Sequence, residues 1–162
     1  MDLHNFQTQV LTTKNKLFRF ARHMLGNPTD AEDAVQDVLM KMWDIREKLD
    51  AYHSVEALAM TITRNTCLGR LRKKPMLNLE SQPEMPHFAL PDLPLEQQDT
   101  KNLVQNAIKR LPDIQGQILQ LRDIEEYEME EIAEIIGKDE GYVRVNLCRA
   151  RKKLKEILMQ TR

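Results

Sequence analysis

Residues 131–155, EIAEIIGKDEGYVRVNLCRARKKLK, decide the fold of the C-terminal part of the chain. A short apolar segment ends at Gly137, and Asp139 then stands where its side chain can cap a second, longer helix. Two helices joined by a tight turn that contains glycine are typical of a helix-turn-helix. The second helix also concentrates charge, because residues 144–155 hold six Lys or Arg and no Asp or Glu.

The phase of this second helix predicts its outward face. A helix advances by about 100° per residue, and the apolar positions Val143, Leu147, Ala150, Leu154 and Leu158 form one core stripe. The second helix of such a motif enters the DNA major groove by its N-terminal end. The side chains that face outward at this end are Arg144, Val145, Cys148 and Arg149.

The chemistry of these side chains suits DNA. Arginine can pair with guanine through two hydrogen bonds, and an apolar side chain can contact the methyl group of thymine. Arg151 and Lys152 follow, with Lys153 and Lys155, and are better placed for phosphates. A solvated basic helix face is the alternative interpretation of the same pattern.

Composition favours a helical protein with two basic regions. Of the 162 residues, 41% are hydrophobic and 30% charged, and only five are glycine. The formal net charge of -1 hides a second basic run at residues 64–74, with five basic residues and no acidic one. Residues 75–100 between the two runs carry five acidic residues and no basic one.

Proline divides the chain. Five of the seven prolines fall in residues 75–94, where they disfavour a helix interior. The sequence therefore predicts an all-α protein with two small helical domains joined by a flexible linker, the second domain containing the helix-turn-helix. The predicted boundaries are residues 1–75 for the N-terminal domain, 76–100 for the acidic proline-rich linker, and 101–162 for the C-terminal domain.

Three helices are predicted in the N-terminal domain. The first carries apolar residues from Phe6 to Leu25 and ends at Gly26, and a capping box of Thr29 with Glu32 begins the second. On the second helix, a polar face of Asp33, Gln36, Asp37 and Met40 lies opposite the stripe of Val35, Val38, Met42, Ile45 and Leu49. The third helix runs from about Val55 to Lys73, with Leu58, Ile62 and Leu71 as its predicted core positions.

The rest of the C-terminal domain is also predicted to be helical. One amphipathic helix carries Leu103, Val104, Ala107, Ile108 and Leu111, and Pro112 fits the first turn of the next. A short helix then turns Ile132, Ala133 and Ile136 inward. The acidic stretch DIEEYEMEEIAE that leads into it is interpreted as helix capping and solvated surface.

The second basic run supports two interpretations. Asn65, Arg72, Lys73 and Lys74 could hold a nucleic-acid backbone or a displaced base. Basic residues at a helix end also complement the helix dipole without any ligand.

Several classes of function find no support in the sequence. The histidines are scattered and no catalytic motif occurs, so we expect neither an enzyme nor a cofactor. Cys67 and Cys148 fit no metal-ligand spacing, so no metal is expected and both are interpreted as reduced thiols. A redox role for Cys148 is the alternative. With no signal-peptide pattern and no apolar run of bilayer length, the expected location is the cytoplasm.

Three segments together resemble a known family. GNPTDAEDAVQDVLMKMW, the RNxxxxRxRKK run, and LPDIQGQILQLRDIEEYEMEEIAEIIGKDEGYVRVNLCRARKKLKEIL occur in this order across almost the whole chain. In this order they resemble a bacterial extracytoplasmic-function (ECF) sigma factor of RNA polymerase. The resemblance implies a transcription initiation factor that binds core RNA polymerase and directs it to specific promoters.

The resemblance also implies roles for the residues. Asp33, Gln36 and Asp37 match the surface that binds the clamp helices of the polymerase β′ subunit. Residues 65–74 match the segment that captures the unpaired strand of the minus-ten promoter element, and the loop at residues 49–55 matches one that cradles a flipped base. The recognition helix would read the minus-thirty-five element as duplex. The implied partners are core polymerase, promoter DNA and an anti-sigma factor, with the chain monomeric outside the holoenzyme.

Two other functions stay open at this level. A stand-alone helix-turn-helix regulator would bind an operator without polymerase, as a dimer on a palindromic site. A protein-interaction adaptor would show no salt-dependent affinity for DNA.

Overall fold

The computed structural model describes residues 1–73 and 95–160, and within them it contains helices and turns but no β-strand. The all-α prediction is confirmed. The predictions for the acidic proline-rich linker up to residue 94 and for Lys74 concern positions outside the described residues. Short 3₁₀ segments lie at Leu11–Thr13 and Arg46–Ala51, and a π-helical turn at Gln120–Ile124. The α-helices are α1 (Leu3–Gln9), α2 (Lys14–Leu25), α3 (Pro28–Asp44), α4 (Val55–Lys73), α5 (Leu95–Lys109), α6 (Asp113–Leu119), α7 (Met129–Ile136) and α8 (Glu140–Gln160).

The helix ends follow local chemistry, with two corrections. Gly26 and Gly137 both adopt the left-handed conformation that ends α2 and α7, as predicted. The predicted capping box of Thr29 and Glu32 is wrong, because Asn27 caps α3 by accepting the Thr29 N–H at 2.8 Å. Pro28 then occupies the first turn of that helix, where its missing N–H costs nothing. Likewise Pro112 is the cap residue before α6 rather than a member of its first turn.

Two predicted helices are shorter than expected. The segment from Phe6 to Leu25 is not one helix, because a 3₁₀ turn at Leu11–Thr13 separates α1 from α2. The stripe on α3 likewise ends early, since Ile45 caps the helix and Leu49 lies in the following 3₁₀ segment. Both Leu49 and Phe6 are still buried, so the apolar positions were predicted correctly although the helix lengths were not.

The predicted core face of α4 is wrong. Leu58 and Ile62 only flank the core, and Leu71 is exposed. Helix α4 packs against α2 and α3 on one side and against α7 on the other, so small side chains occupy its close contacts. The buried residues of α4 are Ala57, Ala59, Met60, Thr63 and Cys67.

The C-terminal domain packs α5, α6 and α7 around α8. The inward residues of α7 are Ile132, Ile135 and Ile136, whereas Ala133 is only half-buried. In α5, Ala107 and Ile108 are buried as predicted, but Leu103 is exposed. The two domains also contact each other, chiefly through α4 against α7 and α2 against α6.

Candidate nucleic-acid interface

Helix α8 is fixed in rotation by its core stripe. Val143 and Ala150 are fully buried and Leu147 is nearly so, while Leu154 is half-buried. Asn146 is also buried, which the sequence did not predict, and its side-chain amide donates to the Tyr142 carbonyl at 2.9 Å. The rotation leaves the four predicted side chains, Arg144, Val145, Cys148 and Arg149, exposed near the N-terminal end of the helix, together with Glu140 and Tyr142.

The turn before α8 holds this geometry. The N–H groups of Gly137 and Lys138 both donate to the Ala133 carbonyl, at 2.9 and 3.0 Å. The Asp139 carboxylate accepts the Tyr142 N–H at 2.7 Å, which confirms the predicted cap. Glycine at position 137 carries a φ of 77°, a conformation that side chains with a Cβ atom rarely adopt. The angle between the two helices of the motif therefore depends on local contacts that the sequence encodes directly.

The phosphate-facing candidates differ from each other. Lys152 is exposed. Arg151 instead donates two hydrogen bonds to Asp123, at 2.6 and 3.1 Å, and these bonds raise the pKa of its guanidinium. Asp123 therefore fixes the direction of Arg151 and competes with a phosphate for it.

The basic residues of α4 lie in three different environments. Arg64 donates to Gln117 of the other domain at 2.7 Å, and burial lowers its pKa, which the nearby Tyr142 partly offsets. Arg70 binds Asp33 at 2.8 Å and also Asp37. In the last turn of α4, the basic side chains Arg72 and Lys73 are exposed and form no such contact with another described residue.

The face predicted for polymerase docking is exposed and already neutralised in part. The Asp33 and Asp37 side chains are 66% and 51% exposed, and Gln36 between them is exposed as well. Hydrogen bonds from the Arg70 guanidinium, first to Asp33, raise its pKa. A basic partner that docks here has to displace or share this arginine.

A surface cavity of about 540 Å³ lies between α3 and α4. The predicted residue Asn65 lines it, and the Thr66 hydroxyl is buried there without a hydrogen-bond partner among the described residues. The sequence did not point to the other lining residues, because Ile45 and Ile62 were predicted as core positions and the remaining two were assigned to no site. These are Lys41, Asp44, Ile45 and Ile62.

The aromatic contacts at the C-terminal end of α3 also depend on tertiary packing. The Arg46 guanidinium lies 4.1 Å from the ring centroid of Trp43, and Phe6 meets the same ring edge-on at 5.0 Å. In the loop at 49–55, Leu49 is fully buried whereas Tyr52 is exposed. Residues 50–53 of that loop are exposed and can contact a ligand, whereas Leu49 cannot.

Other kinds of site find no support in the residues that the structure describes. Residues 1–73 and 95–160 contain no group of His, Cys, Asp and Glu arranged to hold a metal ion. None of the helices in these ranges is both long and apolar enough to cross a membrane. Cys148 is exposed, while Cys67 is buried and its pKa is raised to about 12 by that burial.

Family models match both halves of the chain. Sigma-70 region 2 matches residues 10–75, and Sigma-70, region 4 matches residues 101–154. The RNA polymerase sigma-E factor of Streptomyces coelicolor is 30% identical over 156 residues, which cover 95% of this chain and 86% of that protein. The ECF RNA polymerase sigma factor SigW of Bacillus subtilis is 26% identical over 90% of this chain and 84% of its own length.

A solved structure is similar over both domains together. The sigma factor RpoE of Bartonella quintana, crystallised with the anti-sigma factor NepR, is 25% identical and superposes with a TM-score of 0.80. The match covers 99% of this chain and 100% of that one. Relatives that are similar along their whole length disfavour a stand-alone regulator that shares only the helix-turn-helix. The chain therefore belongs to the extracytoplasmic-function family of RNA polymerase sigma factors, the initiation factors that bind core RNA polymerase and direct it to promoters.

Proposed function

We propose that the two domains divide promoter recognition between them, with the residues named above as the contacts. The N-terminal domain, residues 1–75, docks core polymerase and captures the unpaired minus-ten strand. The C-terminal domain, residues 101–162, reads the minus-thirty-five element as duplex. Residues 76–100 connect the two, and this tethering raises the effective concentration of the second contact once the first has formed.

The observation that carries the duplex-reading role is the rotation of α8. With Val143 and Ala150 fully buried, Arg144 and Arg149 face solvent at the end of the helix that such motifs insert in the major groove. Val145 is 48% exposed, so its methyl groups are available to contact the methyl group of a thymine. We assign Arg144, Val145, Cys148 and Arg149 to base edges, and Arg151 and Lys152 to phosphates.

The single-strand role is supported by the cavity beside Asn65. Its volume of about 540 Å³ falls within the range of small-ligand sites and leaves room for an unpaired base. The Thr66 hydroxyl, which has no hydrogen-bond partner among the described residues, can bond to a base edge there. Arg72 and Lys73, at the exposed end of the same helix, then hold the backbone, and Lys74 follows them in the sequence.

The docking role rests on charge. Asp33, Gln36 and Asp37 form one exposed polar face of α3 that has no part in the core. We propose that basic side chains of the β′ clamp helices bind these carboxylates in place of Arg70, which holds them in the free chain. Arg70 keeps both carboxylates oriented outward until docking.

The remaining assignments concern partners and location. We propose that the chain acts in the cytoplasm by binding rather than by catalysis, needs no cofactor or metal, and is monomeric outside the holoenzyme. An anti-sigma factor is proposed as a further partner, because the relative that shares this arrangement of both domains was crystallised with one.

The test of the proposed function is co-elution with core RNA polymerase. We expect the full chain to co-elute stoichiometrically with core polymerase at moderate salt, and the variant Asp37→Arg to lose most of this binding. Glu156→Arg makes the same change of charge at an exposed position on α8 and serves as the matched control. If wild type fails to bind, the function is wrong; if Asp37→Arg binds like Glu156→Arg, only the docking face is misassigned.

A further inference from the structure

Glu140 places a negative charge at the end of α8 that meets DNA on the proposed function. It is the first residue of this helix, and helices of such motifs enter the major groove by their N-terminal end. The only other acidic residue between positions 140 and 160 is Glu156, near the opposite end. The remaining charged side chains of α8 are basic and attract phosphates, which repel a carboxylate.

Other acidic residues near the motif have partners within the chain. Asp123 holds Arg151, and Glu125, whose side chain is only 1% exposed, accepts hydrogen bonds from Arg19 at 2.6 and 2.8 Å. Glu131 accepts the N–H of Glu128 at 3.2 Å in the capping box of α7. The acidic stretch before the recognition helix is therefore not merely capping and solvated surface, as the sequence had suggested, because Glu125 is buried in an ion pair.

Glu140 has no comparable contact. Its side chain is exposed and forms no hydrogen bond or ion pair with another residue of the described ranges. The capping position of α8 is already filled, because the carboxylate of Asp139 accepts the Tyr142 N–H at 2.7 Å. What the fold itself can gain from Glu140 is a favourable interaction with the helix dipole, which acidic residues in a first turn provide.

The position of Glu140 on the helix aligns it with a proposed base contact. Positions 140, 144 and 148 are four residues apart, so Glu140, Arg144 and Cys148 share one face of α8, and all three are exposed. Helical side chains tilt toward the N-terminus, so that of Glu140 projects ahead of the helix. The rise from position 140 to position 144 is about 6 Å, close to two base-pair steps of about 3.4 Å each. The two side chains can therefore reach base edges about two pairs apart.

The chemistry of the major groove selects the partner of a carboxylate there. A carboxylate only accepts hydrogen bonds, and the donors in this groove are the N4 amino group of cytosine and the N6 amino group of adenine. Adenine also presents its N7 acceptor beside N6, which repels a carboxylate, whereas guanine and thymine present acceptors alone. Cytosine is therefore the base that a glutamate in the groove favours.

We propose that Glu140 is a specificity-determining residue of the duplex-reading helix, and that its carboxylate accepts a hydrogen bond from the N4 amino group of one cytosine in the minus-thirty-five element. This cytosine lies within about two base pairs of the position that Arg144 reads. The proposal rests on the proposed function, because Glu140 meets a base only when α8 enters the groove. The carboxylate then disfavours every other base at that position, in addition to favouring cytosine.

Selection from a pool of duplexes with a randomised minus-thirty-five region tests the proposal, with the full chain assembled on core polymerase. Wild type should enrich cytosine about tenfold at one position. Glu140→Gln keeps the length of the side chain but gives it an amide, which pairs with N6 and N7 of adenine, so the preference should move from cytosine to adenine. Glu140→Ala should lose the preference at that position and gain no other.

The matched control is Glu130→Gln. Glu130 is exposed in the first turn of α7, so this variant makes the same change of charge at the same place in the other helix of the motif. It should leave all base preferences as in wild type. Thermal unfolding of each variant measures the contribution of the helix dipole separately.

Two outcomes would overturn the proposal at different levels. If wild type and Glu140→Gln select the same sequences and differ only in thermal stability, Glu140 serves the helix dipole and reads no base. If wild type on core polymerase selects no duplex sequence at all, the proposed function of the C-terminal domain is wrong as well. A shift from cytosine to adenine in Glu140→Gln alone supports the assignment, since a structural role cannot change which base is preferred.

Discussion

His23 gives a prediction about stability and pH that can be worked out from the structure. Its imidazole lies on α2 against α6, where a Cβ atom at Gly116 would approach its Nε2 at 3.1 Å. Its Nδ1 is buried with no hydrogen-bond partner among the described residues. Burial lowers the pKa of His23 to about 4 from an ordinary 6.5; the positive charge of Lys109 lowers it further, and Asp113 opposes both.

The direction of the effect follows from this lowered pKa. The unfolded chain binds a proton at His23 as the pH falls below about 6.5, but the folded chain binds one only near pH 4. The neutral imidazole therefore stabilises the fold fully above pH 6.5, and this stabilisation is lost as the pH falls towards 4. Between pH 7.5 and pH 5, the two pKa values correspond to a loss of about 2 kcal/mol in the free energy of unfolding.

The assay is urea unfolding of wild type and His23→Gln at both pH values, followed by the fluorescence of Trp43, the only tryptophan in the chain. Other titrating groups contribute equally to the pH dependence of both proteins. The difference between wild type and His23→Gln therefore isolates the contribution of position 23. Between pH 7.5 and pH 5, the free energy of unfolding of wild type should fall by about 2 kcal/mol more than that of His23→Gln. His53→Gln, at an exposed position, should follow wild type.

Parallel pH dependence of wild type and His23→Gln would refute this reasoning. It would mean that the imidazole is hydrated in solution, or that Asp113 stabilises the protonated ring more strongly than burial and Lys109 destabilise it. A reversed slope, with wild type gaining stability at low pH, would show that the carboxylate dominates.

Three further predictions concern the recognition helix and two glycines. Arg149→Ala should reduce discrimination at one base pair by about 1–3 kcal/mol of binding free energy, as measured by anisotropy titrations of single-substituted duplexes. An equal loss of affinity for every duplex would instead indicate a phosphate contact. Asp123→Asn should release Arg151 and steepen the salt dependence of duplex binding by about one unit of slope, and an unchanged slope would mean that the arginine is already available. Gly137→Ala should destabilise by about 1 kcal/mol because of its positive φ, while Gly69→Ala should stabilise the α4 interior by a similar amount; equal signs in thermal unfolding would contradict this.

The helix-turn-helix was predictable because its signals are local. Gly137 ends one helix through its backbone conformation, Asp139 caps the next through a residue three positions away, and the apolar period sets the rotation of α8. Each of these depends on neighbours in sequence, so the pattern and the structure agree. The exposed polar face of Asp33 and Asp37 was predictable for the same reason.

Predictions failed where several partners compete for one segment. Asn27 rather than Thr29 caps α3, because Pro28 fits the first turn of the helix. The helix therefore begins before the predicted capping box of Thr29 and Glu32. The core face of α4 could not be found from periodicity, because a helix packed on two sides buries small residues such as Ala57 and Ala59 where helices approach closely. A single apolar stripe does not exist there to be detected.

The sequence by itself determined the helical class, the helix-turn-helix with its four outward side chains, and the family. Tertiary structure alone decided how charge is paired. Arg19 and Glu125 are 106 positions apart, and on α4 Arg64 binds Gln117 whereas Arg70 binds Asp33 and Asp37. Periodicity records which face of a helix is buried, but the partner of a charge depends on which distant surface the fold brings within about 3 Å of it.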